Sequence, residues 1–522
     1  MKIAPPPGVF TDLPPLSATP FWLRSSNIRF RRGIPQTVGL FARFIDRRTD
    51  TPVDDLIPGF LNFTGQVDFY ADGDVLLIAS GRQLVILRWR QGDVEVRSVR
   101  GLGGTGRWWF AATEATIIAG RANLSGRATS IDRETLSIAT VPNIPTGCVA
   151  GGIYAGVLML AGTESYGDGR AAMTVRWSAR RTDPSSSGTP AGPFGFEDWI
   201  PSDLNASGEF ELENGSAIKA GGTTIFGFIV WTDTAAYEIT GRTDAFIFAE
   251  TPMSGRGILG PKTWVVADER VWWYDQTRTL NVYDGGRPRQ IVSPISNAAL
   301  EVIPDDITEL LSLSSDPEHG EISLHYPDRD GRMRELVYNY RDDAWYQFDL
   351  DRLNLTPANS PRSSIGMKRD GQLMFYDLRE VAPAAGGALE GDPPAYQDGD
   401  PPFQPAPTPE AFSYSLSTNW ITAGNASVQS LRARNVVLAY NYAKAQYEPA
   451  EDDQITVTAR SYGKLDLREA PAEDTRTIAV GEMRFTLRVG GKAVQYEISS
   501  ADQRTFLRFG DMDIEADEAG KR

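Results

Sequence analysis

Few histidine and cysteine side chains are available in this sequence for acid–base or nucleophilic chemistry. The chain has 522 residues but only two histidines, His319 and His325, and one cysteine, Cys148. A Ser-His-Asp or Cys-His arrangement would need one of these histidines. Both lie near the predicted strand EISLHYPDRDG, outside any recognisable nucleophile motif, and Cys148 lies in the apolar segment TGCVAGG. We therefore interpret the histidines as structural and Cys148 as a small core residue.

The residues that could bind a metal are also sparse. A zinc site built from one cysteine and two histidines would need carboxylates to complete its ligand set. Asp328, Asp330 and Gly331 have the spacing that begins a calcium loop, but the later ligands are missing and the segment falls where a hairpin must turn. The sequence predicts a turn there, and it predicts neither a metal nor a cofactor.

Carboxylates are abundant, and a pair of them can hydrolyse a glycosidic bond. Glu197, Asp198 and Asp203 lie in a polar insertion with the sequence FGFEDWIPSDLN. The same insertion contains Phe196 and Trp199, and aromatic side chains of this kind often anchor protein interfaces. We favour an interface loop that presents Phe196 and Trp199 to a partner, and keep a glycan-cleaving site as the alternative.

Arg29, Arg31 and Arg32 form the densest basic cluster in the chain. Strand alternation places Arg29 and Arg31 on one face, where they could meet phosphate or a partner's carboxylates. Solvated charge and internal pairing are the common alternatives for such residues. We retain the three arginines as candidate interface residues beside the two aromatic residues of the insertion.

The elements that position these residues are predicted to be β-strands. The chain contains 50 Gly, 34 Pro and 10% aromatic residues, which favours short strands joined by many turns. Three phrases between Gly227 and Leu350 each read as two short strands around an Asp-containing step: FGFIVWTDTAAYEIT, ERVWWYDQTRTLNVYDGG and ELVYNYRDDAWYQFDL. A hairpin that recurs about every 40 to 60 residues is typical of a β-propeller, in which each unit builds one blade. Residues 57–141 predict at least two further blades.

The sequence divides into four parts. Residues 1–20 contain six prolines and predict an extended arm, which is either a disordered tail or a strap along a neighbour or its own domain. Residues 21–380 predict the propeller, with an inserted loop at about 180–210. Residues 381–410 hold eight prolines, five acids and no basic residue, and predict a linker or exposed loop. Residues 411–522 alternate apolar and polar residues, and predict a smaller β-sandwich or barrel-like domain.

Charge and composition restrict the partners and the compartment. A net charge of −16 and a pI near 4.8 disfavour wrapping of nucleic-acid phosphates. A single cysteine excludes an intrachain disulfide and suits folding in a reducing compartment. The N-terminus lacks the apolar core of a signal peptide, and no segment approaches the roughly 18 apolar residues that span a bilayer. We predict synthesis in the cytoplasm and no membrane span.

Four phrases occur in a characteristic order: NIRFRRGIPQTVG, VWTDTAAYEITG, GRGILGPKTWVVADERVWWYDQTRTLNVYDGG and VYNYRDDAWYQFD. Together they resemble the β-propeller tail proteins of short-tailed bacteriophages, which are the hub or nozzle components also described as packaged DNA stabilisation proteins. The resemblance covers most of residues 20–380. It is carried by the order of the phrases, since each phrase alone is a blade hairpin that other propellers could share.

This resemblance implies a structural virion protein of the phage tail that is not an enzyme. It implies a homo-oligomeric ring, usually a hexamer, below the portal and its adaptor ring, which contacts the tail needle, fibres or spikes. Such a ring retains the packaged DNA and then conducts it without sequence-specific binding, and a negative bore lets phosphates slide. The alternative is a carbohydrate-binding or glycan-cleaving propeller that recognises the host surface.

Overall fold

The structure is a computed structural model of the chain. It describes residues 2–519 except 4–5, 13–15, 18–20, 39, 47–50, 53–66, 82, 91–92, 101, 103–105, 122–127, 142, 167–171, 181–195, 197, 242–247, 296–299, 301–302, 358–363, 369–370, 379–402, 406–411, 423–429, 443–452, 463–469, 481–483 and 504–506. The regular secondary structure of the described residues is almost entirely β-strand, which confirms the predicted all-β class.

Six consecutive stretches of chain each form a four-stranded antiparallel sheet whose strands pair in sequence order, and we number these sheets blades 1 to 6. Their strands, four to a blade, are Val67–Asp72, Val75–Ser80, Gln83–Arg90 and Asp93–Val99; Trp108–Ala112, Thr116–Arg121, Ala128–Asp132 and Ile138–Val141; Ala150–Tyr154, Val157–Ala161, Thr174–Trp177 and Gly208–Glu211; Ile218–Thr223, Phe228–Thr232, Ala236–Gly241 and Phe248–Ser254; Trp264–Ala267, Arg270–Tyr274, Leu280–Tyr283 and Arg289–Ile291; and Ser312–Asp316, Glu321–Pro327, Met333–Asn339 and Ala344–Phe348. A 3₁₀ helix, Asp305–Leu310, precedes blade 6. The three aromatic-rich phrases are hairpins of blades 4, 5 and 6, as predicted.

Blade 7 combines two distant parts of the chain. Arg352–Pro357, Ser364–Lys368 and Leu373–Leu378 pair in order, and Leu378 and its neighbours then pair with the early strand Leu40–Asp46. Two short strands, Thr51–Pro52 and Phe403–Pro405, add to that early strand. The innermost strand of blade 7 packs beside that of blade 1, so the seven blades close into a β-propeller.

The remaining strands form two further sheets, which pack against each other as a sandwich through contacts such as Tyr414 on Phe509, 5.7 Å between ring centroids. The first sheet contains Lys2–Ile3, Ile28–Arg31, Ile34–Thr37, Ser430–Tyr442, Arg484–Gly491 and Leu507–Ala519, and the second contains Leu16–Ser17, Trp22–Ser26, Phe412–Thr418, Trp420–Thr422, Gln454–Tyr462, Ala472–Ala479 and Ala493–Gln503. The chain's first five strands therefore belong to the C-terminal domain.

This arrangement differs from the predicted domain boundaries in two places. Residues 22–37, predicted as the start of the propeller, pair with C-terminal strands, for example Ser25 with Leu416. Residues 403–405, predicted as part of a linker or exposed loop, form a strand beside blade 7. The physical reason is the same in both cases, because a short strand is stabilised by whichever sheet edge completes its backbone hydrogen bonds.

The described parts of the N-terminal arm lie along the arm's own chain. Lys2 and Ile3 pair with the last strand of the sandwich, and Val9 donates its backbone N–H to the carbonyl of Trp345 at the edge of blade 6, 2.8 Å away. Asn27 continues this contact, since its side-chain oxygen accepts the N–H of Asp349 at 2.7 Å. The described arm residues thus lie along their own chain, which is one of the predicted alternatives, and a strap along a neighbouring chain stays a prediction.

Candidate functional site

Phe196 and Trp199, predicted to face a partner, are buried in the folded chain. Each is 5% exposed, and both pack in an apolar cluster between blades 2 and 3 with Trp109 and Leu158. The prediction that they form an exposed interface is therefore wrong. The insertion lies in sequence between the third and fourth strands of blade 3, and its two described rings are buried because they gain more from the apolar cleft between blades than from solvent.

The two described acidic residues of the same insertion, Asp198 and Asp203, have different surroundings. Asp198 accepts hydrogen bonds from the backbone N–H of Ile200 and from Asn205 Nδ2, both at 3.1 Å, so its carboxylate holds its own loop. Asp203 is exposed, and Glu197 lies outside the described residues. The contacts of Asp198 thus give it a structural role, whereas a glycosidase needs its two carboxyl groups to face a shared cleft.

The three arginines do not form one basic surface. Arg29 is 2% exposed and binds Glu321 of blade 6, with Nε to Oε1 at 2.7 Å and Nη2 to Oε2 at 2.9 Å. Arg31 is half-buried, and Arg32 is exposed in the turn, where its backbone N–H donates to Asp342 at 2.8 Å. The prediction that Arg29 lies at an interface with a partner is therefore wrong. Arg29 joins the sandwich to the propeller within one chain.

His325 belongs to a buried polar network between blades 6 and 7. Its Nε2 lies 2.7 Å from Ser314 Oγ, and its Nδ1 lies 3.9 Å from Glu335 Oε1, which is beyond hydrogen-bonding distance. Arg352 of blade 7 holds both oxygens of Glu335, at 2.5 and 2.7 Å. Burial lowers the pKa of His325 to about 4, with Glu335 opposing and Arg352 adding to the effect.

This Ser–His–Glu grouping is poorly suited to nucleophilic catalysis. His325 is 0% exposed and Ser314 3% exposed, so both side chains are buried. A general base works best with a pKa near the operating pH, and the carboxylate that would orient the ring is instead neutralised by Arg352. The network fastens blade 7 to blade 6, which agrees with the structural interpretation of His325.

The other residues considered for chemistry are also structural. His319 Nδ1 lies 2.8 Å from the carboxylate of Asp316, with both side chains buried. Cys148 is 3% exposed, and burial raises the pKa of its thiol, which makes the thiolate inaccessible as a nucleophile. Asp328 accepts the backbone N–H groups of Asp330 and Arg332, each at 2.9 Å, so the calcium-like phrase is a turn, as predicted.

The propeller encloses a central channel with a volume of about 630 Å³. Its wall consists of the innermost strands, and half of the described lining residues are small. The described lining includes Ala71, Ala111, Ala112, Gly151, Gly152, Gly221, Gly222, Thr223, Ser312, Ser314 and Ser315, together with the larger Phe69, Tyr70, Trp109, Phe110, Ile153, Trp264, Val265, Val266 and Leu313. The two charged residues among the described lining are Asp68 and Lys262.

A buried ion cluster closes the channel at the end where the innermost strands begin. Arg107, before blade 2, binds Asp68 of blade 1 with Nη2 to Oδ1 at 2.8 Å, and reaches across to the carbonyl of Glu309 at 2.9 Å. Lys262, before blade 5, places Nζ 3.8 Å from the same Asp68 oxygen. Burial by itself raises the pKa of Asp68. The two cations and the hydrogen bonds outweigh burial and hold this pKa below its usual value.

Sequence reasoning missed this cluster because its members come from three separate segments. A weak signal was present, since Asp68 interrupts the apolar phrase QVDFY and Lys262 directly precedes an innermost strand. No metal-binding group of three or more His, Cys, Asp or Glu side chains occurs within the described residues. Nor does the described part of the chain contain a helix that is long and apolar enough to span a membrane.

Comparisons with known proteins found similarity in structure alone. No family model and no curated protein matches the sequence. Among solved structures, BamB from Moraxella catarrhalis matches with a TM-score of 0.34 and 11% identity over 61% of this chain and 95% of that one. A protein provisionally named as a 6-phosphogluconolactonase, from Bacteroides uniformis, matches with a TM-score of 0.37 and 12% identity over 56% and 87%. At these values the matches carry no argument, and the β-propeller assignment rests on the strand order.

Proposed function

We propose that this chain is a structural protein of a short-tailed phage tail. In this proposal several copies, most simply six, form a ring below the portal and adaptor that retains and then conducts packaged DNA. The observation that carries the proposal is the order of the four sequence phrases that resemble the tail hub proteins. The first and last of these phrases are in contact in the folded chain, since Asn27 Oδ1 accepts the backbone N–H of Asp349. This contact joins the sandwich to blade 6.

The contacts of the chemically competent side chains support a structural role. His325, His319 and Cys148 are all buried, and each has a partner or neighbour that serves packing within or between blades. The sandwich is joined to blade 6 by backbone hydrogen bonds and by the buried pair Arg29–Glu321. A body held together in this way is suited to bearing load in a particle.

The closed channel has a consequence for DNA conduction. Asp68, Arg107 and Lys262 lie across one end of the propeller channel. Duplex DNA, whose major groove alone is about 12 Å wide, therefore cannot thread through a single chain. The bore of the proposed ring therefore lies between copies. With a net charge of −16 per chain, the proposed bore would be negative. A negative bore repels DNA phosphates, so the DNA slides through it without sticking.

The decisive experiment is single-particle imaging of purified virions together with native mass measurement of the assembled protein. The proposal expects a closed ring with one propeller per subunit, located between the adaptor and the distal tail. A single copy or a trimer per tail contradicts it. Release of sugar from host-surface polysaccharide by the purified chain, with loss of release in Asp198→Asn, would instead support the glycan-cleaving alternative.

A further inference from the structure

The closed end of the channel holds an excess of positive charge. The carboxylate of Asp68 is already engaged by Arg107 and by the backbone N–H of Trp108, at 2.8 Å each. Lys262 Nζ, at 3.8 Å, lies beyond hydrogen-bonding distance of that carboxylate. Two cations therefore share one anion. The remaining unit of positive charge resides on the ammonium group that faces the channel.

The environment of Lys262 favours recruitment of a second anion. Its side chain is 26% exposed, and it is one of the two charged residues in the described lining. Burial lowers the pKa of Lys262, and Asp68 only partly opposes this effect. A bound anion would stabilise the ammonium form, because a charge-assisted hydrogen bond in a site of low dielectric is stronger than the same contact in water.

The walls of the channel suit a flat apolar body. Gly151 lies against the ring of Trp109, and a Cβ there would come within 2.6 Å of that ring. Gly222 lies in the same way against Trp264, with a Cβ distance of 2.3 Å. The glycines let both indoles lie directly on neighbouring strands. Trp109 is 4% exposed and is enclosed within the wall, whereas Trp264 is half-buried and keeps part of its ring on the channel. A volume of about 630 Å³ is within the range of small-molecule sites.

Access is from the end where the innermost strands finish. Thr223, at the end of the innermost strand of blade 4, is exposed, and Ala112, Ile153 and Val266 at the equivalent places are half-buried. At the opposite end Asp68 is 3% exposed. The channel is therefore a pocket with one mouth and a cationic floor.

We propose that this pocket binds one small organic anion with a planar apolar body. Its acidic group, a carboxylate, sulfonate or phosphate, pairs with Lys262, and its body lies along Trp264 and the glycine wall. The ligand enters past Thr223. This binding site is independent of the ring proposed above, since it lies within a single propeller and needs no second copy of the chain.

The test uses the full-length chain and two fluorescent probes of similar shape. 1-Anilinonaphthalene-8-sulfonate has a planar body and one sulfonate, and N-phenyl-1-naphthylamine lacks the sulfonate. Titration should show one saturable sulfonate-probe site per chain and weaker binding of the neutral probe. Lys262→Met should weaken the sulfonate probe about ten- to hundredfold and remove its advantage over the neutral probe. The matched control Lys219→Met, at an exposed lysine of blade 4, should bind as the wild type does.

A second variant tests the location of the site without touching the ion cluster. Thr223→Trp should block the mouth and abolish saturable binding, while circular dichroism and the melting temperature confirm that the propeller is folded. The proposal would be overturned if Lys262→Met bound the sulfonate probe with wild-type affinity, or if the two lysine variants lost equal affinity. It would also be overturned if the two probes bound equally well, or if a folded Thr223→Trp variant bound as the wild type does.

Discussion

Arg29 and Glu321 form a two-point ion pair across 292 positions of sequence, at 2.7 and 2.9 Å, with both side chains 2% exposed. Tyr346 donates its hydroxyl to the same carboxylate at 2.6 Å. Arg29 lies in the sandwich and Glu321 in blade 6. The pair therefore fixes the position of one domain on the other.

Replacement of Arg29 tests this role. We expect Arg29→Met to lower the free energy of unfolding by about 3–5 kcal/mol, because Glu321 remains buried without a countercharge. Adding Glu321→Leu should recover most of the loss. Arg32→Met is the control, since that side chain is exposed and its replacement should change stability by less than about 0.5 kcal/mol. Urea unfolding measures all three, and equal losses at Arg29 and Arg32 would contradict the assigned role.

His325 predicts a specific dependence of stability on pH. Its pKa falls from 6.5 to about 4 in the folded chain, chiefly through burial. Between these values the unfolded chain binds a proton that the folded chain does not, so stability decreases as the pH falls through this window. The contribution is about 3 kcal/mol. His325→Gln should remove this part of the pH dependence, as measured by urea unfolding at pH 7 and pH 4.5. An equal change in the free energy of unfolding between pH 7 and pH 4.5 in both proteins would count against this role of His325.

Gly120 predicts a local steric limit within blade 2, where it pairs with Trp109 on the neighbouring strand. A Cβ at this position would lie 2.1 Å from the ring of Trp109, so Gly120→Ala should cost about 1–3 kcal/mol or more through displacement of that indole. Gly255→Ala is the matched control, because nothing lies within 4 Å of its Cβ position. We expect the control to be neutral or slightly stabilising. Thermal unfolding of both variants checks the difference, and similar melting temperatures would refute it.

The N-terminal arm predicts a loss of stability in the isolated chain. Val9 is 2% exposed and donates its N–H to Trp345, so deletion of residues 1–12 should lower stability by roughly 2 kcal/mol from the apolar burial of Val9 alone. Melting of the monomer measures this effect. If the arm also straps a neighbouring copy, assembly should be impaired in conditions where the truncated monomer remains folded. An unchanged melting temperature would show that the arm does not stabilise its own chain.

The propeller could be predicted from sequence because its information is local. Alternation within the three aromatic phrases, and turn residues between them, are properties of a few neighbouring residues. Strand pairing between distant segments has no such local signal. That Leu40–Asp46 completes blade 7, and that residues 22–37 join the C-terminal sandwich, follows from which sheet edges remain open in the folded chain.

The site residues show the same division. Residue type indicated that Phe196, Trp199 and Arg29 were energetically important, but type alone does not say whether an aromatic ring or a guanidinium is satisfied inside the chain or by a partner. Only the tertiary structure decided that Arg29 binds Glu321, and only it brought Asp68, Arg107 and Lys262 from three segments to the floor of one channel. The sequence by itself determined the strands and their repetition, whereas the meeting of charges across the fold depends on closure of the ring of blades.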